Sequence, residues 1–470
     1  MRSRLLALLA APALFLGGCQ TVSQLGDHAA ATVGLADDVP KTYTASEESV
    51  AQRGGIAVAD EPLAARAGAT ALAANGNAVD AVTTMFFALS ATYPVAAGLG
   101  SGGICLVRDA GGQVTEFDFL TKAPKAGGAY ALPGAVAGFA AMQKQFGALP
   151  WQRVVAPGEA FAATGFPVSQ ALAARLASAQ NILRLDATLA GEFLDQNGAP
   201  LAAGTETRNT ALGLTMTQIR QYQADGFFKG DVAARIVAWS AAQGGGISAQ
   251  ELAATTALQG PARSRGTGSF VTWLPGSRTG AGAFTSSVMD NLSRGLRATR
   301  DPGAAMSNAA RASLAGFGVG ALPRDLGSTG FAAVDANGTA ASCAVTMNGP
   351  FGSGRTASGT GVVLAQTPSS TAGLASAFLT PVIATSGGQV ALAGAGAGGP
   401  NGTAAALYAV LEASGGRTMG KRGDLRGTGS APYDTVNMVS CDDQACVALT
   451  DPGAHGAGVA AEVLVAGPLP

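Results

Sequence analysis

The sequence predicts an α+β fold built as a layered sandwich. Three observations carry that expectation. β-like runs come in hairpin pairs, Ile104–Arg108 with Gln113–Phe119 and Phe331–Val334 with Ala340–Met347, each joined by a glycine turn, and hairpins build antiparallel sheets. Helical stretches are interspersed with these hairpins, which does not fit a doubly wound parallel sheet. Finally, 47% of the 470 residues are hydrophobic and only 13% charged, which supplies apolar area for a large core and excludes wholesale disorder.

Taken in order, the folded part is expected to begin near Gly54. Pro62 suits a first helical turn after the carboxylates Asp60 and Glu61. The Ala-rich helix that follows should stop at Asn75-Gly76. Asn77 can cap a second helix bearing Val79, Val82, Phe86 and Leu89 at helical spacing, ended by Pro94. The glycine-rich segment from Gly98 to Gly103 leads into the first hairpin, around Gly111-Gly112. Residues 133–260 read as mainly helical, Phe270–Leu274 as a strand, 284–298 as a helix and 300–327 as loop. The second hairpin turns at Asp335-Ala336-Asn337-Gly338. A strand at Val390–Ala393 opens onto Gly394-Ala395-Gly396-Ala397-Gly398-Gly399, then a helix at Thr403–Glu412 and short strands at Val436–Val439 and Cys446–Leu449.

The N-terminus reads as a processing signal. Arg2 and Arg4 precede an apolar run from Leu5 to Phe15, too short to cross a bilayer. Leu16-Gly17-Gly18-Cys19 resembles a bacterial lipobox, so 1–18 is expected to be a signal peptide, Cys19 the lipidation site and 19–53 a tether. Gln20 favours the outer membrane over retention at the inner one, placing the chain in the periplasm. The formal net charge is −1 without a basic run, so nothing recruits nucleic acid. In an oxidising compartment Cys441 and Cys446 are expected to form a local disulfide, whereas Cys105 and Cys343 read as buried, inert thiols. With two histidines, His28 and His455, a metal site is not expected, and no cofactor is expected.

A hydrolase with so few histidines needs another base. An N-terminal Ser or Thr solves this, because its own α-amine can take the hydroxyl proton near neutral pH. Gly327-Ser328-Thr329-Gly330, between loop and hairpin, is where an internal cut could expose one. The alternative, a plain turn, stays open on these residues alone. Gly394–Gly399 also spells G-x-G-x-x-G, but too late in the chain for a dinucleotide-binding βαβαβ unit to follow.

Several segments together resemble the gamma-glutamyltransferases: Gly54–Ala59, Pro62-Leu63-Ala64, Gly76–Ala81, Gly102-Gly103, Asp118-Phe119 through Ala123-Pro124, Pro133–Gly138, Phe227–Gly230 and Ile247–Leu252. The most specific is Ser328, Asp335, Gly338, Thr346-Met347-Asn348 and Phe351-Gly352-Ser353-Gly354, without a gap. The resemblance implies a four-layer αββα sandwich of the N-terminal-nucleophile hydrolase type, formed jointly by 54–327 and 328–470, which remain paired after autocleavage at Gly327-Ser328. It implies Ser328 as nucleophile, Thr346 as the supporting hydroxyl, Asn348 in the substrate pocket and the Gly398-Gly399 N–H groups as the oxyanion hole. The substrate would be a small gamma-glutamyl or related amide or peptide, glutathione-type.

This chain also departs from the family. Leu120 stands where an Arg would pair with a glutamyl carboxylate, Ser370 where an acidic residue would hold the ammonium, and Ala377-Phe378 where two serines precede a core strand. Leu cannot replace the planar fork of Arg. Arg108, Lys122 and Arg355 are candidate compensating cations. The alternative reading is a non-catalytic periplasmic lipoprotein that keeps the scaffold as a ligand-binding module.

Overall fold

The computed structural model describes residues 50–51, 55–276, 279–299, 301–319, 322–368, 374–415, 432–442 and 445–461. Cys19, His28, Ser370 and the expected signal peptide lie outside these residues.

Two antiparallel seven-stranded sheets form the centre. The first runs in the order Ala457–Ala460, Ile56–Ala59, Ser328–Val334, Ala340–Thr346, Gly102–Arg108, Val114–Asp118 and Leu258–Pro261. The second runs Val50–Ala51, Cys446–Thr450, Thr435–Cys441, Gln389–Ala397, Thr380–Ser386, Phe270–Leu274 and Arg263–Thr267. Side chains alternate between the faces of each strand, and the two alternating sets fill different cores. Ile56, Val58, Ala332, Val334 and Leu106 meet Ile383, Ala393 and Val439 between the sheets. Val382, Ala384, Leu392, Val436 and Met438 face the other way, onto Phe284, Val288 and Leu407 of the helices Gly280–Ala298 and Pro400–Ser414. The helices Pro62–Ala73 and Ala78–Thr92 pack against the first sheet. The result is the four-layer αββα sandwich.

Local sequence explains most of these elements. Asn77 and Asp80 form a reciprocal capping box at the start of Ala78–Thr92. Asp335 accepts the N–H groups of Asn337 and Thr339 at 2.8 and 3.1 Å, closing the second hairpin, and that of Ala78 at 3.2 Å. This carboxylate is thus a tie between hairpin and helix.

Four expectations need correction. Within 300–327, Pro302–Gly316 is a helix: Asp301 caps it, Pro302 occupies its first turn, and Ala305, Met306, Ala309 and Ala310 bury one face. Alanine and methionine carry a weak apolar signature beside the glycines and prolines, so the helical stripe was obscured. The strand expected to end at Ala393 continues to Ala397, because Gly396 lets the helix Pro400–Ser414 approach (a Cβ there would lie 2.2 Å from the Gly402 carbonyl oxygen). Cys105 and Cys343 are not free thiols; they form a disulfide, brought opposite each other by the register of their strands. Val50–Ala51, at the end of the expected tether, pair with Val447 and Cys446 as an edge strand. Cys441 and Cys446 form the second disulfide.

Candidate active site

Ser328 opens the central strand of the first sheet. It shares a strand face with Ala332 and Val334, the face turned toward the second sheet. There its Oγ accepts a hydrogen bond from the Gly398 N–H at 2.8 Å. Gly398 follows the end of Gln389–Ala397 with φ +90°, and a Cβ on it would lie 1.6 Å from the Tyr433 carbonyl oxygen. Only glycine brings that N–H to the serine. Thr329, one position on, turns away from the glycine pair: its hydroxyl donates to Asp60 Oδ2 at 2.6 Å.

The peptide bond before Ser328 is held from both ends. The Gly327 carbonyl oxygen accepts the Met347 N–H at 2.8 Å and the Thr346 hydroxyl at 3.2 Å. Two donors on one carbonyl oxygen polarise it and match the charge that an attack on its carbon would create. Gly327 has φ +60°, and a Cβ there would strike the Gly349 carbonyl at 1.9 Å. Thr346 pairs with Ser328 across the strands, and its Oγ1 accepts the Asn348 N–H at 2.9 Å. Asn348 is left-handed, φ 60°, and its Nδ2 donates to Thr121 Oγ1 and the Gln366 carbonyl at 2.9 and 2.8 Å.

A buried polar network, which the sequence reading missed, lies behind the serine. Arg175 is fully buried on the helix Gln170–Leu183 and pairs with Asp325, two residues before Gly327. Asp325 Oδ1 also accepts the Gly327 N–H at 2.8 Å. Asp60 is buried and accepts from Thr329, Thr435 and Asn437. Burial pushes its carboxyl above the usual range, against the pull of those hydrogen bonds and of Arg175. Arg175 had one legible signal: it stands on the apolar stripe of Leu172, Leu176, Ala179 and Leu183.

Leu120 and Phe378, two of the positions at which this chain departs from the family pattern, sit in apolar surroundings. Leu120 packs on Ile104, Ala281, Ala344, Leu379 and Ala395. Phe378 is core, edge-on to Phe284 with ring centroids 4.7 Å apart. Of the candidate cations, Arg108 is buried and donates to the carbonyls of Gly338 and Gly388, which is a structural tie rather than a surface charge. Arg355 donates to the Leu185 carbonyl. Lys122 lines a cleft of about 510 Å³ with Leu120, Lys125 and Glu251. Gly398 and Gly399 line a smaller one of about 210 Å³, walled by Arg324 and Leu326 of the segment before Ser328. Among the described residues, no group of three His, Cys, Asp or Glu side chains is placed to hold a metal ion, and no helix is long and apolar enough to cross a membrane.

Comparison with known proteins bears on this arrangement. The family model for Gamma-glutamyltranspeptidase matches residues 64–264. That stretch, under half of the chain, resembles the family. It is 28% identical over 272 residues to the Glutathione hydrolase proenzyme of Escherichia coli (strain K12), covering 53% of this chain and 46% of that one. It is 29% identical over 238 residues to the Acylase ACY 1 proenzyme of Pseudomonas sp. (strain SE83), covering 45% and 42%. The matches thus span less than half the length of these curated relatives. In fold, a cephalosporin acylase from Bacillus halodurans superposes with a TM-score of 0.69 at 17% identity, over 91% of this chain and 100% of that one. The Gamma-Glutamyltranspeptidase of Helicobacter pylori gives 0.50 at 24% identity, over 55% and 82%.

Proposed function

We propose that the chain is a gamma-glutamyltransferase-like N-terminal-nucleophile amidohydrolase or acyltransferase that cuts itself between Gly327 and Ser328. The observation that carries this is the pairing of two donor sets on one hydroxyl residue. The Gly327 carbonyl oxygen is held by Met347 and Thr346, and Ser328 Oγ sits on the Gly398 N–H.

In the first step Ser328 Oγ attacks the Gly327 carbonyl carbon, and the oxygen that gains charge stays on the Met347 and Thr346 donors. The C–N bond breaks as its nitrogen takes a proton, which leaves Gly327 as an ester on Oγ. Water hydrolyses the ester to a Gly327 carboxylate and a Ser328 bearing a free α-amine. That amine is then the general base: it takes the Oγ proton as Ser328 attacks a substrate amide, and returns it to the leaving amine. The Gly398 N–H, with that of Gly399, receives the tetrahedral oxygen. Water or an acceptor amine releases the acyl group. The relatives' names, a glutathione hydrolase and an acylase, support a gamma-glutamyl or related amide as substrate.

The test is a denaturing gel of wild type and Ser328→Ala, with N-terminal sequencing of the smaller fragment and an assay on gamma-glutamyl-p-nitroanilide. Two fragments in wild type, the smaller starting at Ser328, and one chain in the variant are expected; a single chain in both ends the proposal. A second reading, a ligand-binding scaffold without catalysis, draws on the apolar packing of Leu120 and Phe378, and anilide turnover that needs Ser328 would exclude it.

The same proposal puts the chain in the periplasm, lipid-anchored at Cys19, on the strength of Leu16–Cys19. Two disulfides among the described residues support an oxidising compartment. Labelling with a radioactive fatty acid, lost in Cys19→Ser, tests the anchor.

A further inference from the structure

Arg175 is held by a carboxylate that belongs to the scissile segment itself. Its Nε donates to Asp325 Oδ2 at 3.1 Å and its Nη2 to Asp325 Oδ1, a two-pronged contact. Its Nη1 lies 3.5 Å from the Tyr93 hydroxyl and 3.4 Å from the carbonyl oxygen of Ser328. The rings of Tyr93 and Tyr433 flank it at 5.5 and 5.9 Å. Burial alone disfavours this cation, but Asp325 more than reverses that, so the guanidinium stays charged at any ordinary pH.

A cut after Gly327 changes this balance. Asp325 then sits two residues from a chain end, the new Gly327 carboxylate adds a second negative charge close by, and no covalent bond keeps either against Arg175. With the chain cut, Asp325 is free to be exchanged for another carboxylate, and because a buried guanidinium without an anion is strongly unfavourable, whatever displaces Asp325 must itself carry one.

We propose that Arg175 binds a carboxylate carried by the acyl donor, and that Asp325 occupies that place in the uncut chain. The inference rests on the preceding reading, in which the Gly327–Ser328 bond is cut and Ser328 attacks an amide. The uncut chain supplies the outline of the ligand. Its Gly327 carbonyl is the acyl group that Ser328 meets first, and its Asp325 carboxylate, bonded to the Gly327 N–H, marks where an anion lies relative to that carbonyl. A donor that reproduces both is a short half-amide of a dicarboxylic acid, of which gamma-glutamyl and glutaryl groups are examples. The planar fork suits a carboxylate bound through both oxygens. The cation missing at Leu120 is thereby supplied from the helix Gln170–Leu183.

The experiment uses the cut full-length protein and two p-nitroanilides of equal length, glutaryl and its uncharged amide analogue 4-carbamoylbutanoyl. Wild type is expected to favour the glutaryl substrate by about 100-fold in kcat/KM, mostly through KM, since removing one partner of a buried charge pair has effects of this order. In Arg175→Gln the ratio of the two kcat/KM values should fall to about 1. A measurement without turnover or variant accompanies it: glutarate, but not glutaramide, should raise the melting temperature of cut wild type. Equal kcat/KM for the two anilides, with no glutarate-specific thermal shift, overturns the role of Arg175 and leaves the Ser328 chemistry standing. A chain that stays whole and turns over neither anilide overturns the underlying reading, and this inference with it.

Discussion

Thr346→Val isolates the hydroxyl on the Gly327 carbonyl. The side chain keeps its branching and nearly its volume and loses the hydroxyl donor to Gly327 O at 3.2 Å, which also reaches Leu326 O at 3.4 Å, and the acceptor for Asn348 N–H at 2.9 Å. The first loss leaves the Met347 N–H at 2.8 Å as the other donor described on that oxygen. Removing one oxyanion donor typically costs roughly 2.7–4 kcal/mol of barrier, a slowing of about 10²–10³-fold. The second loss strands a buried backbone N–H, at about 1–3 kcal/mol of stability. The expected phenotype is therefore a folded protein of lowered melting temperature that cuts itself 10²–10³-fold more slowly, by order of magnitude. A time course of fragment appearance on a denaturing gel, beside a melting curve, measures both. Thr346→Ser, which keeps the hydroxyl, should cut at close to the wild-type rate. Should the valine variant cut as fast as wild type while folded, the hydroxyl is not polarising the carbonyl and the reasoning fails.

Gly398→Ala should be deficient for a steric reason, because its Cβ would enter the Tyr433 carbonyl at 1.6 Å and carry the N–H away from Ser328; a loss of about 10²–10³-fold in kcat on an anilide is expected, and unchanged kcat would refute it. Glu61 is pushed up to about 7 by burial, against the hydrogen bonds of Ala64 and Thr92. A carboxyl whose folded pKa exceeds its unfolded one holds more protons folded, so its contribution to stability falls as pH rises from about 4.5 to about 7. In Glu61→Gln, which can keep the cap to Ala64, chemical denaturation between those pH values should show a shallower decline, and an identical slope would show that Glu61 is not the group responsible. Under non-reducing conditions peptide mapping should recover Cys105 linked to Cys343 and Cys441 linked to Cys446; thiol-reactive label on Cys105 or Cys343 in unfolded, unreduced protein would contradict the strand register described.

Much of the fold was legible because its determinants are local. The helix caps at Glu61 and Asn77 and the hairpin turn at Asp335–Gly338 draw on residues a few positions apart. The run from Ser328 to Asn348 is one hairpin, so Ser328, Thr346 and Asn348 are brought together by pairing within about twenty residues. The helix Pro302–Gly316 was obscured because alanine is a weak apolar marker, and its buried stripe acquires meaning only against Phe284 and Leu407 of its neighbours.

The sequence by itself determined the strand that begins at Ser328, the hydroxyl opposite it and the glycines able to approach it, since these follow from side-chain period, turn chemistry and the absence of a Cβ. Only the tertiary structure decided what surrounds the Gly327–Ser328 bond. Arg175 reaches Asp325 across 150 positions, Asp60 reaches Asn437 across 377, and Cys105 meets Cys343 across 238. A charge on a helix is ordinarily solvated, and the apolar stripe on which Arg175 stands hints at burial without naming its partner. Its burial, and hence its need for an anion, arises only when the layers close over it.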